Sequence, residues 1–345
     1  MAFSTINKST SFQNNILWTG DGLTGRAVNG VGFKPDAVFI KCRSNGDGHA
    51  EYDILRGANK RIAISETEDE ATQTEGLQSF TADGFTLGTL NASNADGRTY
   101  VSWNWLANGA GVLNEVGDLD STVSVNTTSK YSICSYTGNG ASGATVGHGL
   151  GVKPSVILIK GRTVDDNWLM YHQYNGATKG LATDTSNAVA TSTTYFNDTA
   201  PTADVFSLGN NGKCNTDGGT FIAYCFADLP GYFKAGTFVG NGNVNGTFVY
   251  TGFRPSFVIG KYNASTEDWF IFDDKRDPYN VNYHLLYGNV NNAEYTGASD
   301  RNDFLSNGFK MRTTDGKENA NGARYIYLAF GQPIISNSGV CATAR

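Results

Sequence analysis

Trp18-Thr19-Gly20-Asp21-Gly22, then Gly32-Phe33-Lys34-Pro35 and the apolar run Ala37-Val38-Phe39-Ile40-Lys41, is a passage this chain contains three times. The second copy is Tyr136-Thr137-Gly138-Asn139-Gly140 with Gly151-Val152-Lys153-Pro154 and Val156-Ile157-Leu158-Ile159-Lys160. The third is Phe238-Val239-Gly240-Asn241-Gly242 with Gly252-Phe253-Arg254-Pro255 and Phe257-Val258-Ile259-Gly260-Lys261. The prolines stand 119 and 101 positions apart, and Gly22, Gly140 and Gly242 stand 118 and 102 apart. Two independent markers with nearly equal offsets predict three tandem units of about 100 residues each. The boundaries fall at 1–112, 113–230 and 231–345, and the first unit carries an N-terminal arm.

Each unit reads as a series of short strands. The run after the proline is nearly continuous in apolar residues, as a buried strand is. A second strand follows in Ala50–Asp53, Trp168–His172 and Trp269–Asp273. Asp83-Gly84-Phe85 and Asn307-Gly308-Phe309 mark hairpins in the outer units, while the second keeps only a remnant at Ala203–Gly209. Each unit closes on an alternating aromatic strand: Tyr100–Trp105, Phe221–Phe226 and Tyr325–Phe330. Period-two spacing puts the rings on one face, against a second sheet. No segment holds a helical apolar period. The expected fold is therefore all-β, three tandem antiparallel β-sandwich units. Residues 107–130 read as a loose polar linker, with Thr122–Val125 as a strand within it, and Ala227–Gly231 as a tighter joint. The tail after Pro333 reads as a surface strand or loose end.

Composition bounds the function. The chain has 345 residues, of which 42 are glycine and 17% charged, with 20 Phe, 17 Tyr and 5 Trp. Few charges with many rings and turn formers suit a rigid β protein. The net charge is −6 with no basic stripe, so no nucleic-acid partner is expected. No secretory leader and no membrane-length apolar run is seen, so the expectation is assembly in a cytoplasm without membrane insertion. Five cysteines without a CxxC argue against a disulfide scaffold, and Cys42, Cys134 and Cys225 read as core residues.

Catalytic patterns are sparse. The four histidines are not spaced as metal ligands, and no cofactor is expected. His148, in Gly147-His148-Gly149-Leu150-Gly151, imitates a phosphate loop but leads into a strand, where a turn is expected. Asp53 with Arg56 recurs as Asp273 with Arg276, while the second unit has His172 at the aspartate position; these pairs read as structural salt bridges. The acidic pairs near Glu66–Glu70 and Asp165-Asp166 read as exposed loops. The remaining binding candidates are rings that stack on sugars, Trp18, Trp105, Trp168 and Trp269, together with His148. The matching repeat positions of Trp168 and Trp269 also suit core anchors.

On Tyr-Thr-Gly-Asn-Gly (136–140), Gly-His-Gly-Leu-Gly-Val-Lys-Pro (147–154), Gly30–Asp36, Asp83-Gly84-Phe85, Tyr100–Trp105 and Asn307–Lys310, the chain resembles a tandem-repeat β-domain family of tailed-bacteriophage virion proteins, found in marine and cyanobacterial phages and tail-fibre-like. The resemblance covers nearly the whole chain and implies a structural, non-enzymatic role in the virion. The expectation is a tail-fibre or receptor-binding subunit that self-associates, joins other phage virion proteins, and meets a host polysaccharide or protein receptor by multivalent loops. Met1–Ser11 is expected to be a docking arm. The alternatives are a capsid decoration or head-fibre protein, and a carbohydrate-binding module; a polysaccharide hydrolase ranks last.

Overall fold

The computed structural model describes residues 4–297 and 301–335. It is all-β, and the named strands pair antiparallel throughout. Each third of the chain supplies one larger sheet and one smaller, and the first and second each add a two-stranded ribbon, Lys60–Arg61 with Ala71–Thr72 and Lys179–Gly180 with Ala190–Thr191. The first larger sheet runs Gln13–Thr19, Thr99–Trp105, Ala37–Cys42, Ala50–Asp53. The third repeats that order with Phe233–Val239, Arg324–Pro333, Phe253–Tyr262 and Phe270–Asp273, then adds Leu286–Tyr287. The second has Tyr131–Thr137, Thr220–Phe226, Val156–Gly161 and Leu169–His172, extended beyond Tyr131–Thr137 by Ser121–Asn126 and Val112–Asn114. The expected loose linker thus holds two strands of the sheet. Alternation in Ser121-Thr122-Val123-Ser124-Val125 matches the pleat, and the free edge of Tyr131–Thr137 offers the hydrogen bonds.

The repeated motif closes each unit. Asn94, Asn215 and Asn319, each fully buried, end a single helical turn and reach back to the motif loop. Their side-chain oxygens accept from the backbone N–H of Asp21, Asn139 and Asn241 at 3.1, 2.9 and 3.0 Å. Their amide groups donate to loop carbonyls, including Leu23, Ala141 and Asn243. A side chain at Gly20, Gly138 or Gly240 would run into the carbonyl of Ala95, Thr216 or Ala320, and Gly22, Gly140 and Gly242 take φ of +66°, +67° and +63°. The residue two before the first glycine stacks on the closing strand: Trp18 on Tyr100, Tyr136 on Phe221 and Phe238 on Tyr325, at 5.4, 5.3 and 4.9 Å.

The three closing strands face two ways. Tyr100, Phe221 and Tyr325 point into a core private to each third. Val101, Trp103 and Trp105, with Ile222, Tyr224 and Phe226 and with Ile326, Leu328 and Phe330, point into one core shared by all three. Trp105, Phe226 and Phe330 meet there as a triangle with centroids 5.6 to 6.2 Å apart. The expectation that the rings of each closing strand share one face is corrected: they divide between two faces, one turned to the strand's own unit and one to the other two thirds. Within each strand, Tyr100, Phe221 or Tyr325 stands an odd number of positions from the inner rings Trp103, Trp105, Tyr224, Phe226 and Phe330. The docking arm is corrected from Ser4 onward, Met1–Phe3 lying outside the described residues. Ile6 is fully buried in the shared core, Phe12 packs on Tyr232, and Ser9 N–H donates to Gln332 at 2.9 Å. An apolar Ile6 next to this core is better buried than solvated.

Trp105→Ala should cost about 3–5 kcal/mol. In urea, the fluorescence and far-UV transitions should move together to lower denaturant. Loss of one third of the signal ahead of the rest would contradict a shared core.

Candidate functional site: the joints, the axis and an exposed tyrosine segment

The thirds are joined in a ring by equivalent residues. Lys41, Lys160 and Lys261, at the ends of their strands, are fully buried. Each Nζ donates to carbonyls of its own following loop and to one carbonyl of a neighbour. Lys41 reaches Asn291 in the third unit at 3.1 Å, Lys160 reaches Thr67 in the first at 2.6 Å, and Lys261 reaches Ser186 in the second at 2.9 Å. Burial lowers all three lysine pKa values, to about 8 for Lys41 and Lys261. Two residues on, the carbonyls of Arg43, Arg162 and Asn263 accept from Glu294, Glu70 and Val189 N–H. Two of these joints add a bidentate ion pair, Arg43–Glu294 and Arg162–Glu70. The third has Asn263 paired with Asn175 instead, at 2.8 and 3.0 Å.

The Asp–Arg pairs belong to these joints. Arg56 Nε lies 2.5 Å from Asp53, and Asp53 also accepts from Tyr224 Oη of the second unit at 2.7 Å. Arg276 Nε lies 2.5 Å from Asp273, which accepts from Trp103 Nε1 of the first unit at 3.2 Å. Burial works against the Asp273 carboxylate, yet the Arg276 guanidinium beside it holds its pKa below the usual range. His172 occupies the equivalent place, and its Nε2 lies 3.3 Å from the Tyr327 carbonyl of the third unit. Burial lowers its pKa to about 4, so it is neutral.

On the axis, His49 and Glu51 stand where the other units have Trp168 with Met170, and Trp269 with Ile271. Burial holds the His49 pKa down to about 3 and pushes Glu51 up to about 8. Both are therefore uncharged in neutral solution. His49 Nε2 faces the Tyr287 carbonyl of the third unit at 3.2 Å. That repeats the Trp168 Nε1 bond to the Ala63 carbonyl at 2.8 Å, but with a smaller ring. Beside the pair lies a cavity of about 70 Å³, walled by residues of all three units. A void of this size costs about 1.7 kcal/mol at about 24 cal/mol per Å³.

The sequence-derived binding candidates lie inside. Trp168 and Trp269 are fully buried, Trp105 is 5% exposed and Trp18 9%. A ring with both faces covered offers no stacking surface to a sugar, so these four are core residues. His148 is fully buried too, with Nδ1 accepting from Leu150 N–H at 3.2 Å and Nε2 3.4 Å from the Thr202 carbonyl, in the turn the glycines suggest. Of the five, only Trp105, Trp168 and Trp269 share one core.

Sequence reading missed the exposed rings. Tyr279, Tyr283 and Tyr295 are 77%, 41% and 42% exposed. They sit on one segment of the third unit, which crosses itself at a Leu285–Tyr295 bridge. Leu286 stands thirteen positions after Asp273, whereas Ile62 and Leu181 stand nine after Asp53 and His172. The extra length carries Tyr279 and Tyr283, and that insertion was the available signal. Asp277 fixes the segment: it accepts from Tyr283 and His284 N–H and lies 2.6 Å from His284 Nδ1. The Arg301 guanidinium lies 4.7 Å over the Tyr295 ring. Among the described residues no three His, Cys, Asp or Glu converge to hold a metal ion, and no helix is long and apolar enough to cross a membrane.

Glu51 sets a pH dependence. Its folded pKa of about 8 lies above the ordinary 4.5, so the folded chain keeps a proton that the unfolded chain releases. Its contribution is intact below about 4.5 and lost as pH rises through about 8. Glu51→Gln should match wild type near pH 4.5 and exceed it in urea midpoint at pH 8.5. Equal midpoints at both pH values would contradict the neutral buried carboxyl.

No curated protein and no solved structure matches this chain. A family described as a domain of unknown function (DUF7483) matches residues 8–333, nearly the whole of the ring just described. The chain belongs to the DUF7483 family.

Proposed function

We propose that this chain is a non-enzymatic structural protein of a bacteriophage virion, a tail-fibre or receptor-binding subunit that meets the host envelope through exposed loops. The observation that carries the reading is the tyrosine segment of the third unit, an insertion held on a rigid β body. Tyrosine suits such a role. It offers a large amphipathic face at little cost in side-chain entropy. The buried ionisable groups at the joints hold unit to unit, which is a scaffold's use of charge. The resemblance of the repeated motifs to tailed-phage virion proteins supports the same reading. Many copies on one particle add weak contacts into firm attachment. Partners are other virion proteins and a host polysaccharide or protein receptor.

The exposed rings also favour a second reading, a carbohydrate-binding module, because flat apolar sugar faces stack on tyrosine.

Gold-labelled antibody against the purified chain should decorate the tails of intact particles. Decoration of heads would shift the protein to capsid decoration, and absence from particles would sink the virion reading. The purified protein should bind host cells, and Tyr279→Ala, Tyr283→Ala and Tyr295→Ala combined should weaken binding by roughly tenfold or more. Retention on host polysaccharide without release of oligosaccharide would support the module.

A further inference from the structure

We infer that the axial cavity is a binding site for a small apolar molecule of a few heavy atoms. Three observations lead there. The first is departure from symmetry at two positions. The second and third units fill this level of the axis with Trp168 and Met170, and with Trp269 and Ile271, while the first supplies His49 and Glu51. His49 keeps the cross-joint contact that Trp168 makes, to the equivalent carbonyl, and gives up the second ring. The lost volume lies next to the cavity that His49 and Glu51 line.

The second observation is the character of the wall. It is made by side chains such as Trp105, Met170, Phe257, Trp269, Ile271 and Leu328. Its surface is almost wholly carbon: Glu51 Oε2 accepts from Ile64 N–H at 2.6 Å, Glu51 Oε1 lies 3.7 Å from His49 Nδ1, and those last two atoms with Trp269 Nε1 and Thr183 Oγ1, none of them hydrogen-bonded, are covered by carbon and add almost nothing to the cavity surface. A buried water needs two to four polar partners within reach, and a space walled by carbon stays dry and takes apolar guests. The uncharged states of His49 and Glu51 keep the wall apolar.

The third observation is that the half-buried members of the lining, Phe39, Ile64 and Ile259, are all apolar. At about 70 Å³ the site admits a guest smaller than benzene, which an apolar cavity of about 150 Å³ holds. This site is independent of the tyrosine segment and of the reading built on it.

Xenon is the probe. Crystals of the intact chain under xenon pressure should show one heavy-atom peak between Trp269, Ile271 and Met170. In solution, xenon should shift the indole N–H signals of Trp269 and Trp105 saturably. His49→Trp with Glu51→Met, which copies the second unit, should abolish both signals. If that pair fails to fold, Gly288→Ala serves, because its Cβ meets Trp269 Cβ at 3.3 Å and Ile259 Cδ1 at 3.5 Å, a fit that needs only a small shift. It should weaken xenon binding at least several-fold. Ordered water in place of xenon in the wild-type cavity, or xenon binding unchanged in the filled variants, would overturn the assignment.

Discussion

Contact between the inner faces of three sheets is the constraint on which this molecule depends. Each closing strand presents rings to both sides, one set to its own unit and one to the other two. A larger sheet with such an inner face would expose Trp103 and Trp105, or Tyr224 and Phe226, if it stood alone. Three equivalent faces meeting around one axis remove that exposure at once. The Trp105–Phe226–Phe330 triangle is where the three come closest to equivalence. The chain behaves as a closed three-membered assembly whose members are covalently linked.

The joints follow from that closure. A heterologous contact repeated around a ring must use the same donor and the same acceptor at each step. Lys41, Lys160 and Lys261 do so, each reaching a carbonyl of the next loop. Buried ammonium groups are costly unless their donors are satisfied, and here two or three carbonyls surround each one. The equivalence then breaks in particular places. Arginine and glutamate at two joints give way to Asn263 and Val189 at the third, aspartate gives way to His172, and a tryptophan gives way to His49. A scaffold with threefold form has thus been made different on each side, and the cavity and the tyrosine insertion both lie at such departures.

Much of the local architecture was legible in the sequence. Gly20 and Gly22 with their copies marked the repeat, and the run after each proline marked a buried strand. The alternating rings of Tyr100–Trp105 gave the strand but not the identity of what each face meets. Trp103 and Asp273 are 170 positions apart, and nothing local to either announces their bond. The same limit explains the tryptophans. A ring at a strand end is equally compatible with a ligand or a core until its neighbours are known, and all four proved to be core. Asp53 with Arg56 was correctly read as structural, but the Tyr224 hydroxyl that completes it comes from another unit. Ile6 was read as part of a polar arm because a single apolar side chain carries no pattern. The tyrosine insertion was visible only as a length difference between units.

Native-state hydrogen exchange tests the shared core most directly. The slowest amides of Thr99–Trp105, Thr220–Phe226 and Arg324–Pro333 should exchange with one common free energy, and that value should equal the global unfolding free energy of the chain. Three separate plateaus, one for each third, with at least one well below the global value, would show that the units hold themselves together independently and would contradict the account.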